Sequence, residues 1–182
     1  MLIAGKAQHV PSGSTTNARK LKGWASAVVD AWNGKGLVAD ASERFPVAIG
    51  IIFRFPLRKG DLDRFGAPKD RAPLAMTVAP DVDKLVRSTL DALTTAGAWH
   101  DDAQVVSAVA IKLYVPPGER IGADLVIGST EVNHLMGVSN VVVRWEQLIK
   151  EAVGAMHVAR VAAEGTRRAA KHTKRQLQVV AP

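Results

Sequence analysis

The stretch PDVDKLVRSTLDALTTAGAWHDDAQVVSAVAIKLYV, residues 80–115, decides the fold, because one hydrophobic period gives way to another inside it. Val82, Leu85, Val86, Thr89, Leu90 and Leu93 recur at helical spacing, which predicts a helix with one buried face from Asp81 to about Thr95. Asp81 and Asp83 fall in its first turn, where acids complement the positive end of the helix dipole. Gly97 ends it. From Val105 to Val115 the pattern alternates, which predicts a strand.

Working outward, Pro116-Pro117-Gly118 predicts a turn, after which Asp124 to Ile127 pairs back as a second strand. Upstream, Phe45 to Phe55 reads as a strand with Pro46 at its start, where a missing N–H is tolerated. Leu21, Trp24, Val28 and Trp32 predict an amphipathic helix from Ala18, capped within Ser14–Asn17 and ended by Asn33-Gly34-Lys35-Gly36. Residues 2–8 read as a short first strand. Pro56 to Pro73 is a long polar loop, broken by Gly60, Gly66 and Pro68 and rich in bases (Arg58, Lys59, Arg64, Lys69, Arg71, with Arg54 just before). Residues 128–138 form a linker. A long helix then begins at Ser139 or Asn140, with Trp145, Leu148, Ile149, Ala152, Val153 and Met156 on one face and a break at Gly165. These elements predict an α/β fold of mixed, α+β type: a small sheet flanked by helices, with residues 1–137 as the main domain and 138–182 as a basic helical extension.

The chain has 182 residues, 47% of them apolar, enough for one domain with a real core. No apolar run approaches a membrane span, and the N-terminus lacks the form of a secretory signal. There is no cysteine, which excludes disulfides and thiolate metal sites and fits a reducing, cytoplasmic compartment. The net charge is +7, and eight basic against three acidic residues lie between Arg144 and Arg175. That balance points to a polyanionic partner or to a solvated, solubilising tail.

Asp81, Asp83, Asp91, Asp101 and Asp102 are crowded into one segment with no basic run after them. Like charges repel unless something neutralises them, and a hard divalent cation takes carboxylate oxygens. Separation in sequence is no obstacle to a shared site: the helix rises about 20 Å, and six or seven extended residues return about as far. Asp101 and Asp102 are therefore expected beside Asp81 and Asp83.

The blocks Pro80-Asp81-Val82-Asp83-Lys84-Leu85, Leu90-Asp91-Ala92-Leu93 and Gly97-Ala98-Trp99-His100-Asp101-Asp102-Ala103-Gln104-Val105-Val106 resemble, in order and spacing, the signature of the RusA-type Holliday junction resolvases. The resemblance covers residues 80–127 well, residues 1–56 loosely and the C-terminal segment not at all. It implies a RusA-like fold and a magnesium-dependent endodeoxyribonuclease, with manganese as a substitute, acting as a homodimer on four-way DNA junctions by paired phosphodiester hydrolysis. It assigns the metal to Asp81, Asp83 and Asp102, with Asp101 as a further ligand or orienter. The family's helper lysine corresponds to Arg87, and Lys84 stands where the family has asparagine. Arginine keeps the charge but gives up no proton, so either Arg87 or Lys84 takes the helper's role. Rival readings are a flap or general branched-DNA nuclease using the same acids, a DNA-binding protein whose acids hold a structural cation, and a replication or packaging accessory.

Other residues carry two readings each. Lys6, Arg19, Lys20 and Lys22 contact phosphates or are solvated surface. For Arg167, Arg168, Lys171, Lys174 and Arg175 the expectation is phosphate contact. Asp91 is structural, and Asp61-Leu62-Asp63 is a decoy because no helix follows to present it. Trp99 reads as a core or turn residue, and Gln104 orients a carboxylate or starts the strand. Among the histidines only His100 lies near the acids. Phe53 and Phe55 read as core, while Phe65 is core or inserts at a junction.

Overall fold

A computed structural model of the chain describes residues 2–3, 17–33, 35–36, 46–129 and 136–179, with side chains for 23–33, 35–36, 46–129 and 140–171. In order they form β1 (Leu2–Ile3), α1 (Asn17–Trp32), β2 (Val47–Pro56), α2 (Val82–Thr95), β3 (Val105–Val115), β4 (Gly122–Ser129) and α3 (Met136–Val179). The sheet order is β1-β4-β2-β3. β2 pairs parallel with β3 and antiparallel with β4, so the sheet is mixed. The fold is α+β with a C-terminal helix.

Period-2 alternation along β2 builds the layers. Val47, Ile49, Ile51 and Phe53 face one way and meet Trp24, Val28 and Trp32 of α1, Leu85 and Leu93 of α2, and Leu125 and Ile127 of β4. Ala48 and Ile52 face the other way and meet Val141, Leu148 and Ala152 of α3. Trp24 and Phe53 touch edge to face at 5.8 Å. Trp24 Nε1 donates to Thr89 Oγ1 at 3.0 Å, which satisfies a buried indole N–H and ties α1 to α2. On the opposite face, Gly50 lets Trp145 sit against the sheet, and Trp145 Nε1 donates to Ile51 O at 3.1 Å.

β4 does not pair back on β3. It crosses to the far side of β2 and pairs antiparallel with it from Val47 to Arg54. Asp124 thereby enters the core among arginines: it is buried and forms ion pairs with Arg54 and Arg120. Burial lowers the Arg54 and Arg120 pKa values.

α3 starts at Met136, before the predicted Ser139, and runs unbroken through Gly165. Its inner stripe explains why one glycine does not stop it. Leu148, Ala152 and Met156 pack against the sheet and Tyr114, and the stripe continues as Arg160, Ala163 and Arg167 toward the loop between β2 and α2. Anchors on both sides of Gly165 outweigh a propensity cost of about 1 kcal/mol. The predicted strand over residues 4–8, the cap within Ser14–Thr16 and the linker at 130–135 lie outside the described residues.

Candidate active site

Asp81 is the N-cap residue of α2, yet its side chain makes no capping bond. Lys84 Nζ donates to Asp81 Oδ2 at 2.7 Å instead, one turn along the exposed helix surface. The Lys84 hydrogen bond holds the Asp81 carboxyl below its usual pKa, and the same bond raises that of Lys84. Lys84 therefore stays charged at neutral pH and does not titrate there. Asp83 is exposed in the same first turn, and Arg87 on the following one.

Lys112 was not foreseen. From β3 its Nζ donates to Val78 O at 2.8 Å and Pro80 O at 2.6 Å, which pins the turn that delivers Asp81 to the helix. Its charge adds to the lowering of the Asp81 pKa. A lone lysine among Val109, Ala110, Ile111 and Leu113 was the available signal.

Asp101 and Asp102 do not come back to Asp81 and Asp83. Ala98 N donates to Leu93 O at 2.9 Å and Trp99 Nε1 to Thr94 Oγ1 at 2.7 Å, so the chain leaving α2 is held at the helix's C-terminal end. There Asp101 caps a 3-10 turn, Asp102–Gln104, accepting from Ala103 N at 2.7 Å. Gln104, buried, accepts from His100 N at 2.9 Å and Asp101 N at 3.2 Å. The expectation of an extended return fails because residues 98–104 close into a compact, internally bonded turn. β3 makes the return instead, carrying Lys112 rather than an acid back to Asp81. The two acid pairs stand at opposite ends of α2, whose 14 residues span about 21 Å.

Among the described residues no three acids or histidines are grouped so as to hold a metal ion. Exposed aspartates are the right donors for a hard cation. One chain alone offers them as two half-sets, Asp81 with Asp83 and Asp101 with Asp102, and does not by itself fit such an ion.

The basic residues sort differently. Lys6 lies outside the described residues, as do the side chains of Arg19, Lys20, Lys22, Lys174 and Arg175. Arg167 points inward to the β2–α2 loop: Nε donates to Asp63 and one terminal nitrogen to Asp70, both at 2.8 Å, and the other to Pro68 O. Against the expectation of phosphate contact, three of the five N–H groups of Arg167 are held by two carboxylates and a carbonyl within the chain. Arg168 pairs with Glu164, and Lys171 is exposed. Asp61 is bonded to Arg58. Trp99 and Phe53 are core residues, and Phe65 is exposed. No helix among the described residues is long and apolar enough to cross a membrane.

A profile described as endodeoxyribonuclease RusA matches residues 6–121, which hold all four of these acids and end before β4. A crossover junction endodeoxyribonuclease rusA of Enterobacteria phage 82 is 49% identical over 41 residues, 22% of this chain and 34% of the relative. The proteins of that name from Escherichia coli (strain K12) and Shigella sonnei (strain Ss046) align to the same extent. The chain thus spans about a third of the length of the curated relatives it matches. With nearly two thirds of its residues inside the matched profile, the chain belongs to the endodeoxyribonuclease RusA family.

Proposed function

We propose that the chain is an endodeoxyribonuclease that resolves four-way DNA junctions as a homodimer in the cytoplasm, with magnesium or manganese held by acids from two copies. The observation that carries this reading is the placing of the acid pairs at opposite ends of α2. A second copy whose α2 runs antiparallel would set its Asp101 and Asp102 against the first copy's Asp81 and Asp83. A two-fold axis would do this twice. Two equivalent sites suit a substrate of near two-fold symmetry that is cut at paired positions.

The edge of the sheet supports the same arrangement. Among the described residues β3 is the outermost strand and its far end alone is covered: Met76 N donates to Lys112 O, Tyr114 N to Leu74 O, and Ala75 bridges Leu113. Among the described residues, 105–111 have no strand on their outer side, and Val106 is 59% exposed. An open edge of this kind is a template for strand addition. Antiparallel pairing of 105–111 with itself is centred on Ala108 and carries the two α2 helices past one another head to tail.

A divalent cation bound by these carboxylates would polarise a phosphoryl oxygen and activate water. Asp81 and Asp83 supply carboxylate oxygens at one end, and Asp102 with the capping Asp101 at the other. The Lys84 hydrogen bond lowers the Asp81 pKa further, and Arg87 offers a fixed positive charge for the phosphate. Residues 1–137 act as the nuclease unit, and 138–182 as an addition that also completes the core. The deciding experiment is cleavage of a labelled four-way junction beside flap and duplex controls, in magnesium and in EDTA, with Asp83→Asn for comparison. Paired magnesium-dependent nicks lost in the variant support the reading. Equal cutting of flaps means a general branched-DNA nuclease, and binding without cleavage means a structural cation.

A further inference from the structure

Residues Lys59–Lys69 form a short finger-like hairpin beyond the end of β2, with Leu62 and Pro68 on its covered side. Leu62 bridges Pro68 antiparallel, Asp63 N donates to Ala67 O at 2.8 Å, and Lys69 N donates to Asp61 O at 2.9 Å. At the tip, Asp63 Oδ1 accepts from Phe65 N at 2.8 Å and from Ala67 N at 3.0 Å. Gly66 takes a φ of +79°, which a side chain would resist. The other oxygen of Asp63 is the one Arg167 grips. One carboxylate therefore shapes the tip and bolts it to α3, a helix that lies beyond the family's matched residues.

The finger presents an aromatic ring to water. Phe65 is 50% exposed, and the Arg64 guanidinium lies 4.6 Å from its ring centroid. A large apolar side chain held outward on a braced turn contributes little to the core. The acids around it are spent internally: Asp61 on Arg58, and Asp63 and Asp70 on Arg167. Lys59, Arg64 and Arg71 remain exposed, with no acid partner among the described residues. An exposed ring with Arg64 over one face and Lys59 and Arg71 nearby in the same loop suits a nucleobase stacked on the other face and flanked by phosphates.

We propose that this finger contacts DNA at the branch point, with Phe65 stacking on a base that has left its helix and Arg64, Lys59 and Arg71 meeting the adjoining phosphates. Arg167 is a positioning residue that keeps the tip in place. The inference rests on the reading of the ligand as branched DNA, and it assigns a contact outside the acid cluster.

The test is fluorescence anisotropy of the full chain, in EDTA, with a labelled four-way junction and with a linear duplex of one arm's sequence. A junction carrying 2-aminopurine beside the crossover reports base stacking. Phe65→Ala should weaken junction binding by about 5- to 150-fold, the span of one lost base stack. It should leave duplex binding and the salt slope unchanged, since no charge is removed. Phe65→Trp should restore the affinity, and the 2-aminopurine response should vanish in Phe65→Ala alone. Unchanged junction affinity in Phe65→Ala, or an equal loss on junction and duplex, overturns the inference while the nuclease reading stands. A wild-type chain that binds junction no better than duplex defeats both.

Discussion

The division of the acids along α2 makes a prediction that can be worked through to a number. Asp83 lies in the first turn of the helix and Asp102 beyond its last, about 21 Å apart by the helical rise. Ligands to one magnesium ion lie about 2 Å from it, so these two carboxylates of one chain cannot serve the same ion. If the sites form across a two-fold axis, each uses Asp83 of one copy and Asp102 of the other. Asp83→Asn and Asp102→Asn homodimers should then each be inactive. In a heterodimer of the two variants, one site carries both substitutions and the other carries neither. Heterodimers isolated through two different affinity tags should retain about half the wild-type sites, and a random mixture about a quarter. The assay is magnesium-dependent nicking of a labelled junction, scored for single against paired cuts. Single nicks without paired resolution are expected. Heterodimers as inactive as their parents would mean that both acids act in the same site within one chain, and the placing of the half-sets would then be irrelevant to catalysis.

Three further expectations concern the scaffold. Gly50→Ala should destabilise the fold by about 1–3 kcal/mol in urea unfolding, because the new Cβ would lie 2.9 Å from the Trp145 side chain; unchanged stability would mean that α3 is not seated on β2 as described. Asp124→Ala should cost about 3–5 kcal/mol, since it strands the largely buried Arg54 without its carboxylate, and a loss under 1 kcal/mol would show that water reaches this pair. Arg167 holds the Asp63 pKa below the usual value, so the clasp's contribution is complete above the ordinary aspartate range and fades as pH falls through the lowered value. Hydrogen exchange at residues 59–69 should therefore rise in acid beyond its intrinsic pH dependence, whereas Arg167→Met should show the faster exchange already at neutral pH. Equal protection in both proteins at neutral pH would count against the clasp.

Local periodicity carried most of the fold. The α2 and β3 segments announced themselves because Leu85, Thr89 and Leu93 keep one period and Val105 to Val115 another. The partner of β4 was illegible, because Pro116-Pro117-Gly118 reads equally as a hairpin turn or as the start of a crossover. That choice lies between the outer edges of β3 and β2, which are far apart in sequence, and no local pattern encodes it. The same holds for the acids. Their identity and spacing were plain, but their position depended on Gln104, whose side chain closes residues 100–104 into a turn when extension was expected. Arg167 misled for a related reason. In sequence it begins a basic run, and only the fold brings Asp63 and Asp70, about a hundred positions earlier, to its guanidinium.

The two faces of the sheet divide the work. α3 completes one face and extends past the sheet to brace the finger, and its contacts are ion pairs and packing that stability depends on. α1 and α2 complete the other face, and α2 displays Asp81, Asp83 and Arg87 on its exposed side, with Asp81 bonded to Lys84. Asp101 and Asp102 are exposed as well, although Asp101 caps a turn. Replacing Asp83 by asparagine therefore removes a charge on an exposed turn and no core contact, so a loss of cleavage with unchanged urea unfolding would be assigned to the site. The open stretch of β3 lies between the two faces, and residues 105–111 carry no charge. That is what a self-pairing edge requires, because like charges facing across a two-fold axis would repel. The exposed Val106 and the small Ala108 at its centre fit close backbone approach, and α2, antiparallel to its own copy, would then set how far apart the two cleavage sites stand on the junction.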